Sequence, residues 1–200
     1  TNIPADTKAL PVKTVAVIGA GTMGGGIAMC FASAGIPVTL VETSRDNLDR
    51  GLGVVRRNYE TSVKRGRFTQ RQVDEILANI TGTTDYADIA GADLVIEAVF
   101  ENMAVKQEVF RTLDATCKAD CILATNTSYL DVNAIAAATS RPERVVGAHF
   151  FSPANVMKLL EVVRAQKTAP EVLLTFMQLA KQIDKIAVAV GVCHGFVGNR

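Results

Sequence analysis

The stretch Gly19-Ala20-Gly21-Thr22-Met23-Gly24 constrains this chain most, because of what stands on either side of it. Before it, Val15, Val17 and Ile18 form a short run of branched apolar residues that reads as a buried strand. After it, Ile27, Ala28, Met29, Phe31 and Ala32 follow at helical spacing. The order is therefore strand, tight glycine turn, helix. Gly19 permits the turn, Gly21 keeps a Cβ out of the way of an approaching pyrophosphate, and Gly24 lets the helix pack close to the sheet. Ala20, Thr22 and Met23 complete a loop whose backbone N–H groups, with those of the first helical turn, face the phosphates of a dinucleotide.

A G-x-G-x-x-G is weak evidence by itself, so its surroundings decide. Gly35-Ile36-Pro37 stops the helix, Val38–Val41 reads as a second buried strand, and Glu42 stands at its end. That is about 20 residues past the glycine loop, where an acid that binds a ribose is expected. A carboxylate there accepts bonds from a 2′-hydroxyl and repels a 2′-phosphate, which points to NAD rather than NADP. Arg45 is the one nearby feature that points the other way. The alternative is a glycine-rich turn in another kind of α/β protein, with Glu42 as a solvated strand end.

Strands and helices alternate along nearly the whole chain. A long helix from Asp46 to about Arg65 carries Leu48, Leu52, Val55, Tyr59 and Val63 on one face. Its basic end (Arg56, Arg57, Lys64, Arg65, Arg67) is either a solvated face with favourable C-terminal charge or a docking patch for an anionic group. Thr69 and Gln72 form a capping-box pattern for a short helix to Ala78. Strands are expected near 79–84, 92–99, 121–124, 144–151, 157–164 and 186–190, with helices at 103–113, 132–138 and 170–183. The expected fold class is α/β: a doubly wound, mostly parallel Rossmann-type sheet. The domain reading is 1–11 as a linker or trimmed terminus, 12–190 as the Rossmann domain and 191–200 as the start of a further linker. The chain stops at Gly195-Phe196-Val197-Gly198-Asn199-Arg200 without a polar tail, so a longer protein is expected.

With 48% hydrophobic and 20% charged residues and a net charge of +1, nothing favours nucleic acid or a membrane as partner. Cys117 and Cys121 have the spacing of one helical turn should that stretch be helical, but the two histidines are distant in sequence, so no metal site is expected. Nor does the composition suggest a disulfide framework, which points to a reducing compartment. That is the cytoplasm in a bacterium or an organelle matrix in a eukaryote.

In a doubly wound sheet ligands gather beyond the carboxyl ends of the strands. Glu42, Glu101, Asn126, Ser128 and His149 all stand there. His149 ends the strand Val145-Val146-Gly147-Ala148-His149. The following strand carries Glu161 among Leu159, Leu160, Val162 and Val163, where a carboxylate needs a partner. A neighbouring imidazole is the natural one. The carboxylate would fix its tautomer and suit it to general-base work. Ser128 and Asn199 are candidates to hydrogen-bond a substrate oxygen.

These residues carry a resemblance. The glycine loop, Glu97-Ala98-Val99, Glu101-Asn102, Lys106, Asn126-Thr127-Ser128, His149-Phe150-Phe151-Ser152-Pro153, the run from Met157 to Val162 and Gly195 to Arg200 resemble the NAD-binding half of the L-3-hydroxyacyl-CoA dehydrogenases. The wording is nearest to the dehydrogenase part of multifunctional fatty-acid β-oxidation enzymes, which also carry an enoyl-CoA hydratase. The resemblance implies oxidation of a (3S)-3-hydroxyacyl-CoA by NAD, with His149 as base and Glu161 orienting it. Ser128 and Asn199 would hold the substrate oxygen, and Glu42 the adenosine ribose. Glu101, Lys106, Ser128 and Ser152 would line the nicotinamide side, with Ser152 replacing the family's frequent Asn. Asn58, Lys64 and Arg65 would meet coenzyme A. A helical C-terminal domain that closes the cleft, and a homodimer, are implied as partners. A non-catalytic relative, or a dehydrogenase for another hydroxy acid, are the alternatives.

Overall fold

The computed structural model describes residues 2–200. Its frame is one eight-stranded sheet in the order β3-β2-β1-β4-β5-β6-β7-β8. Strand β1 (Val15–Ile18) lies at the switch point, paired in parallel with β2 (Val38–Val41) on one side and β4 (Leu94–Glu97) on the other. Strands β3 (Ile80–Thr83), β5 (Ile122–Thr125) and β6 (Val145–Phe150) extend the parallel set. Strand β7 (Leu159–Arg164) then runs antiparallel to β6, and β8 (Ile186–Gly191) follows β7 in parallel. The mostly parallel, doubly wound sheet expected from the alternation of elements is the fold observed.

Successive residues of β1 feed opposite layers. Val15 and Val17 join the cluster under helices α1 (Thr22–Ser33) and α6 (Pro170–Gln182). Ala16 and Ile18 join the one under α4 (Met103–Thr116) and α5 (Val132–Ala136). Phe31 of α1 and Phe110 of α4 are wholly buried on the two faces. Each contributes about 1.5–3 kcal/mol by burial, enough to hold its helix firmly on the sheet. The N-termini of α1 and α4 are thereby fixed at the carboxyl edge of the strands. Helix α2 (Arg45–Lys64) starts at Ser44, whose hydroxyl accepts from Asn47 N at 3.2 Å, and α3 (Gln70–Leu77) starts at the expected Thr69/Gln72 capping box.

Two segments read as linkers make contacts with the domain. Thr1 lies outside the described residues, but Leu10 N donates to Thr175 Oγ1 of α6 at 2.8 Å, and Ile3 and Leu10 pack against the first core layer. Apolar side chains spaced along a polar stretch were enough to lay it down on α6. At the other end, within 191–200, Val197 N and Gly198 N donate to Glu161 Oε1 of β7 and Phe196 packs against His149 of β6. Two expected strands begin later than the apolar runs suggest. Pro142–Arg144 forms a 3₁₀ turn before β6, and Val156 and Met157 donate back to Pro153 O before β7.

Candidate active site

The glycine turn has the geometry its sequence demands. Gly19 has φ +102°, a conformation that L side chains rarely adopt. A Cβ on Gly24 would lie 1.8 Å from Gly19 O, so the turn closes onto its own helix and only glycine fits. A Cβ on Gly21 would meet nothing within 4 Å, which means the loop opens onto free space there. No side chain caps α1 at Gly21, and no acid stands in its first turn. Unpaired N–H groups facing open space suit a pyrophosphate.

Glu42 stands beside this turn. Its Oε2 accepts from Ala20 N at 2.9 Å, and its Oε1 from Thr43 N at 2.7 Å and the Thr43 hydroxyl at 3.0 Å. Partial burial pushes the Glu42 carboxyl up, but these donors outweigh it and hold the group below its ordinary value. It is therefore ionised at neutral pH, and what it contributes to stability or binding is lost only as pH falls through that lowered value.

Across the switch point, four strand ends converge. The antiparallel register sets His149 opposite Glu161, and His149 Nδ1 lies 2.7 Å from Glu161 Oε2. Both residues are buried, at 4% and 1% exposure. The pair expected from sequence is present. Glu161 does more than orient the ring: its Oε1 accepts from Val197 N at 3.0 Å and Gly198 N at 2.8 Å. Three donors surround one carboxylate, which makes its burial tolerable. The imidazole also packs between two rings, Phe151 at 4.4 Å and Phe196 at 5.6 Å between centroids. His149 Nε2 has no partner, and among the described residues it is not one of the enclosed, unsatisfied side-chain atoms, so it is open to the cleft.

The turn after β5 is built around Glu101. Its Oε1 accepts from the Thr127 hydroxyl at 2.6 Å and its Oε2 from Ser128 N at 2.7 Å. Asn126 Oδ1 accepts from Phe150 N at 2.9 Å, which ties this turn to the strand carrying His149. Ser128 is half-buried, with its hydroxyl uncommitted. Asn199 is exposed on the turn that Glu161 holds, and Ser152 is exposed just past β6.

Lys106 lies deeper than Glu101, Ser128 and Ser152. It is 1% exposed, with its ammonium 2.5 Å from Glu97 Oε1 and 3.2 Å from Val99 O. Its ammonium also stands 4.0 Å from Glu101 Oε1. Asn58, Lys64 and Arg65 stay on α2; Lys64 and Arg65 are exposed, and the Asn58 amide contacts Met29 Sδ at 3.7 Å. No hydrogen bond joins these three to the His149 pair among the described residues. Cys117 and Cys121 are both buried in the second core layer. Phe151, Phe196 and the N–H groups of Val197 and Gly198 were not singled out from sequence. Only their closeness in the chain to His149 and Asn199 marks them, since a ring stacked on an imidazole leaves no periodic signal.

Residues 14–193 match the family described as 3-hydroxyacyl-CoA dehydrogenase, NAD binding domain. The chain belongs to this family. It is 47% identical over 192 residues to a peroxisomal bifunctional enzyme of Cavia porcellus, a match covering 96% of this chain and 26% of the relative. It is 44% identical over 186 residues to 3-hydroxybutyryl-CoA dehydrogenase of Clostridioides difficile, covering 93% of this chain and 66% of the relative. The solved structure of 3-hydroxybutyryl-CoA dehydrogenase from Escherichia coli superposes with a TM-score of 0.92 at 42% identity, covering 94% of this chain and 40% of that one. The chain thus spans about a quarter of the length of its peroxisomal relatives (26%). No helix among the described residues is long and apolar enough to cross a membrane.

Within this family domain, Gly198 offers a test of the packing around His149. A Cβ there would lie 2.6 Å from Phe151 Cζ, the ring stacked on the imidazole. Gly198→Ala is expected to displace that ring and lower kcat by about tenfold, equal to ~1.4 kcal/mol of barrier. NAD affinity, read by calorimetry, should change less than about twofold, ~0.4 kcal/mol. A wild-type kcat would show that Phe151 does not hold the His149 ring in a place that turnover needs.

Proposed function

We propose that this chain is the cofactor-binding half of an enzyme that oxidises (3S)-3-hydroxyacyl-CoA to 3-oxoacyl-CoA with NAD, a step of fatty-acid β-oxidation. The observation that carries the reading is the buried His149–Glu161 pair, 2.7 Å apart at the carboxyl edge of the sheet, across the switch point from the glycine turn. When bound, NAD supplies the hydride acceptor. The residues of the chain do the rest.

Glu161 keeps the proton of His149 on Nδ1, which leaves the Nε2 lone pair toward the cleft. There Nε2 takes the proton of the substrate 3-hydroxyl, and the Glu161 charge stabilises the imidazolium that forms. The Ser128 hydroxyl and the Asn199 amide hold the substrate oxygen. The glycine turn and the α1 N-terminus hold the pyrophosphate, and Glu42 the adenosine ribose. Glu101 and Ser152 border the nicotinamide, while Asn58, Lys64 and Arg65 offer polar and cationic groups to coenzyme A. A helical domain beyond this chain closes the cleft and supplies a homodimer contact. The compartment is the bacterial cytoplasm or, in a eukaryote, an organelle matrix such as the peroxisome.

The test is oxidation of NADH by the intact protein with acetoacetyl-CoA and with free acetoacetate. Turnover with the thioester alone supports the reading. Equal turnover of both would reject coenzyme A recognition, and none with either would reject the activity. Glu42→Ala should weaken NAD by about 10–100-fold, because hydrogen bonds to a charged group contribute ~1.5–3 kcal/mol. Unchanged affinity by calorimetry would remove Glu42 from the ribose site.

A further inference from the structure

Beneath the cleft floor lies a set of charges that the proposed reaction does not use directly. Glu97, at the end of β4, is 0% exposed. Its Oε1 accepts from Lys106 Nζ at 2.5 Å and from Val99 N at 2.8 Å, and its Oε2 from the Thr125 hydroxyl at 2.7 Å. Lys106 Nζ also donates to Val99 O at 3.2 Å and stands 4.0 Å from Glu101 Oε1. Glu101 in turn receives the Thr127 hydroxyl and Ser128 N. A continuous chain of contacts therefore runs from Glu97 through Lys106 and Glu101 to the turn that carries Ser128.

A carboxylate and an ammonium buried this deeply are expensive to desolvate, and an apolar pair of similar volume would often be as stable. Stability alone does not account for the pair. Its geometry accounts for it better. The second carboxylate, Glu101, has 28% of its side chain exposed and faces the cleft, with Lys106 at its back. Without Glu97, the Lys106 ammonium would have Glu101 as its nearest anion. Drawn inward, Glu101 would release Ser128 N and the Thr127 hydroxyl. With Glu97 holding Lys106 at 2.5 Å, Glu101 keeps both bonds and its place at the surface.

We infer that Glu97 is a positioning residue for the nicotinamide end of the cofactor site: it anchors Lys106 so that Glu101 and the Ser128 turn stay in register with the bound cofactor. This rests on the NAD reading above and deepens it. A cofactor lying across the switch point has its adenosine end at Glu42 on β2 and its middle at the glycine turn. Its other end lies over β4 to β6, where Glu101 and Ser128 stand. The effect of Glu97 is therefore confined to one end of the ligand.

That confinement makes the test. Binding of NAD and of ADP-ribose, which lacks the nicotinamide, is measured by calorimetry on the intact wild-type protein and on Glu97→Gln. The expected result is NAD weakened by at least about tenfold, with ADP-ribose changed by less than about twofold; tenfold corresponds to ~1.4 kcal/mol. Equal weakening of both ligands would make Glu97 a general fold residue and overturn the inference, as would no weakening of either. If wild type binds neither ligand, the NAD reading itself fails, which is a separate outcome. Should Glu97→Gln not fold, Thr125→Val decides. At nearly constant volume it removes the 2.7 Å donor to Glu97 Oε2 and the longer, 3.3 Å acceptor of Thr127 N, from a residue 0% exposed. NAD should weaken about threefold with ADP-ribose unchanged, ~0.65 kcal/mol, and unchanged NAD affinity would overturn the assignment.

Discussion

Replacing His149 by Gln is expected to lower kcat for 3-hydroxyacyl-CoA oxidation by about 10²–10⁴-fold, the range of a lost general base, while NAD affinity stays within about twofold, ~0.4 kcal/mol. The physical reason lies in what the substitution keeps. The side chain at 149 is held between the Phe151 and Phe196 rings, and a Gln amide can still bond Glu161 from that space. What it cannot do is accept a proton near neutral pH. The glycine turn and Glu42 lie on the other side of the switch point and share no hydrogen bond with His149 among the described residues. Cofactor binding and proton removal should therefore separate cleanly. The measurement is steady-state oxidation of a 3-hydroxyacyl-CoA followed by NADH absorbance, with NAD binding by calorimetry on the same preparation. A kcat within threefold of wild type would reject His149 as the base. Joint loss of kcat and NAD affinity would mean that the ring is a packing element instead.

Parts of this site were legible from residue order, and parts were not. The glycine turn could be read because its spacing is local: Gly24 answers to Gly19 O five positions back, between a strand and a helix that the apolar pattern marks. The His149–Glu161 pair could be read because both lie in apolar strands joined by one short loop, and an unpartnered carboxylate in such a strand demands an explanation. Their register, by contrast, depends on β7 running antiparallel to β6, which no periodicity announces. The partner of Lys106 was not legible for the same kind of reason. No spacing pairs it with Glu97, nine residues earlier in the chain, and only the fold brings the two together. Within 191–200, read as the start of a linker, the donation of Val197 N and Gly198 N to Glu161 was not legible, because it spans more than thirty-five positions.

That last contact makes Glu161→Gln the more informative substitution. Glu161 holds one donor on Oε2 and two on Oε1, and an amide has only one acceptor end. If the amide oxygen stays with Val197 N and Gly198 N, its NH₂ faces His149 Nδ1, which must then accept. The imidazole proton moves to Nε2, and the nitrogen that faces the cleft is no longer basic. If the amide turns the other way, the tautomer survives. Two backbone N–H groups then lose their acceptor, at about 1–3 kcal/mol each, and the turn bearing Asn199 is released. Both arrangements remove turnover, and neither touches the glycine loop. The expected loss in kcat is about 10⁴-fold, the scale seen when an amide inverts the tautomer of a catalytic histidine, with NAD affinity again within about twofold, ~0.4 kcal/mol. The two arrangements differ in KM: the first leaves Asn199 in place and KM for the thioester near wild type, and the second raises it. Raising the pH should not restore the rate in the first case, because the Nε2 proton of a neutral imidazole does not leave in the accessible range. Turnover within threefold of wild type would mean that Glu161 neither sets the tautomer nor holds the turn, and the dyad would reduce to a buried structural bond.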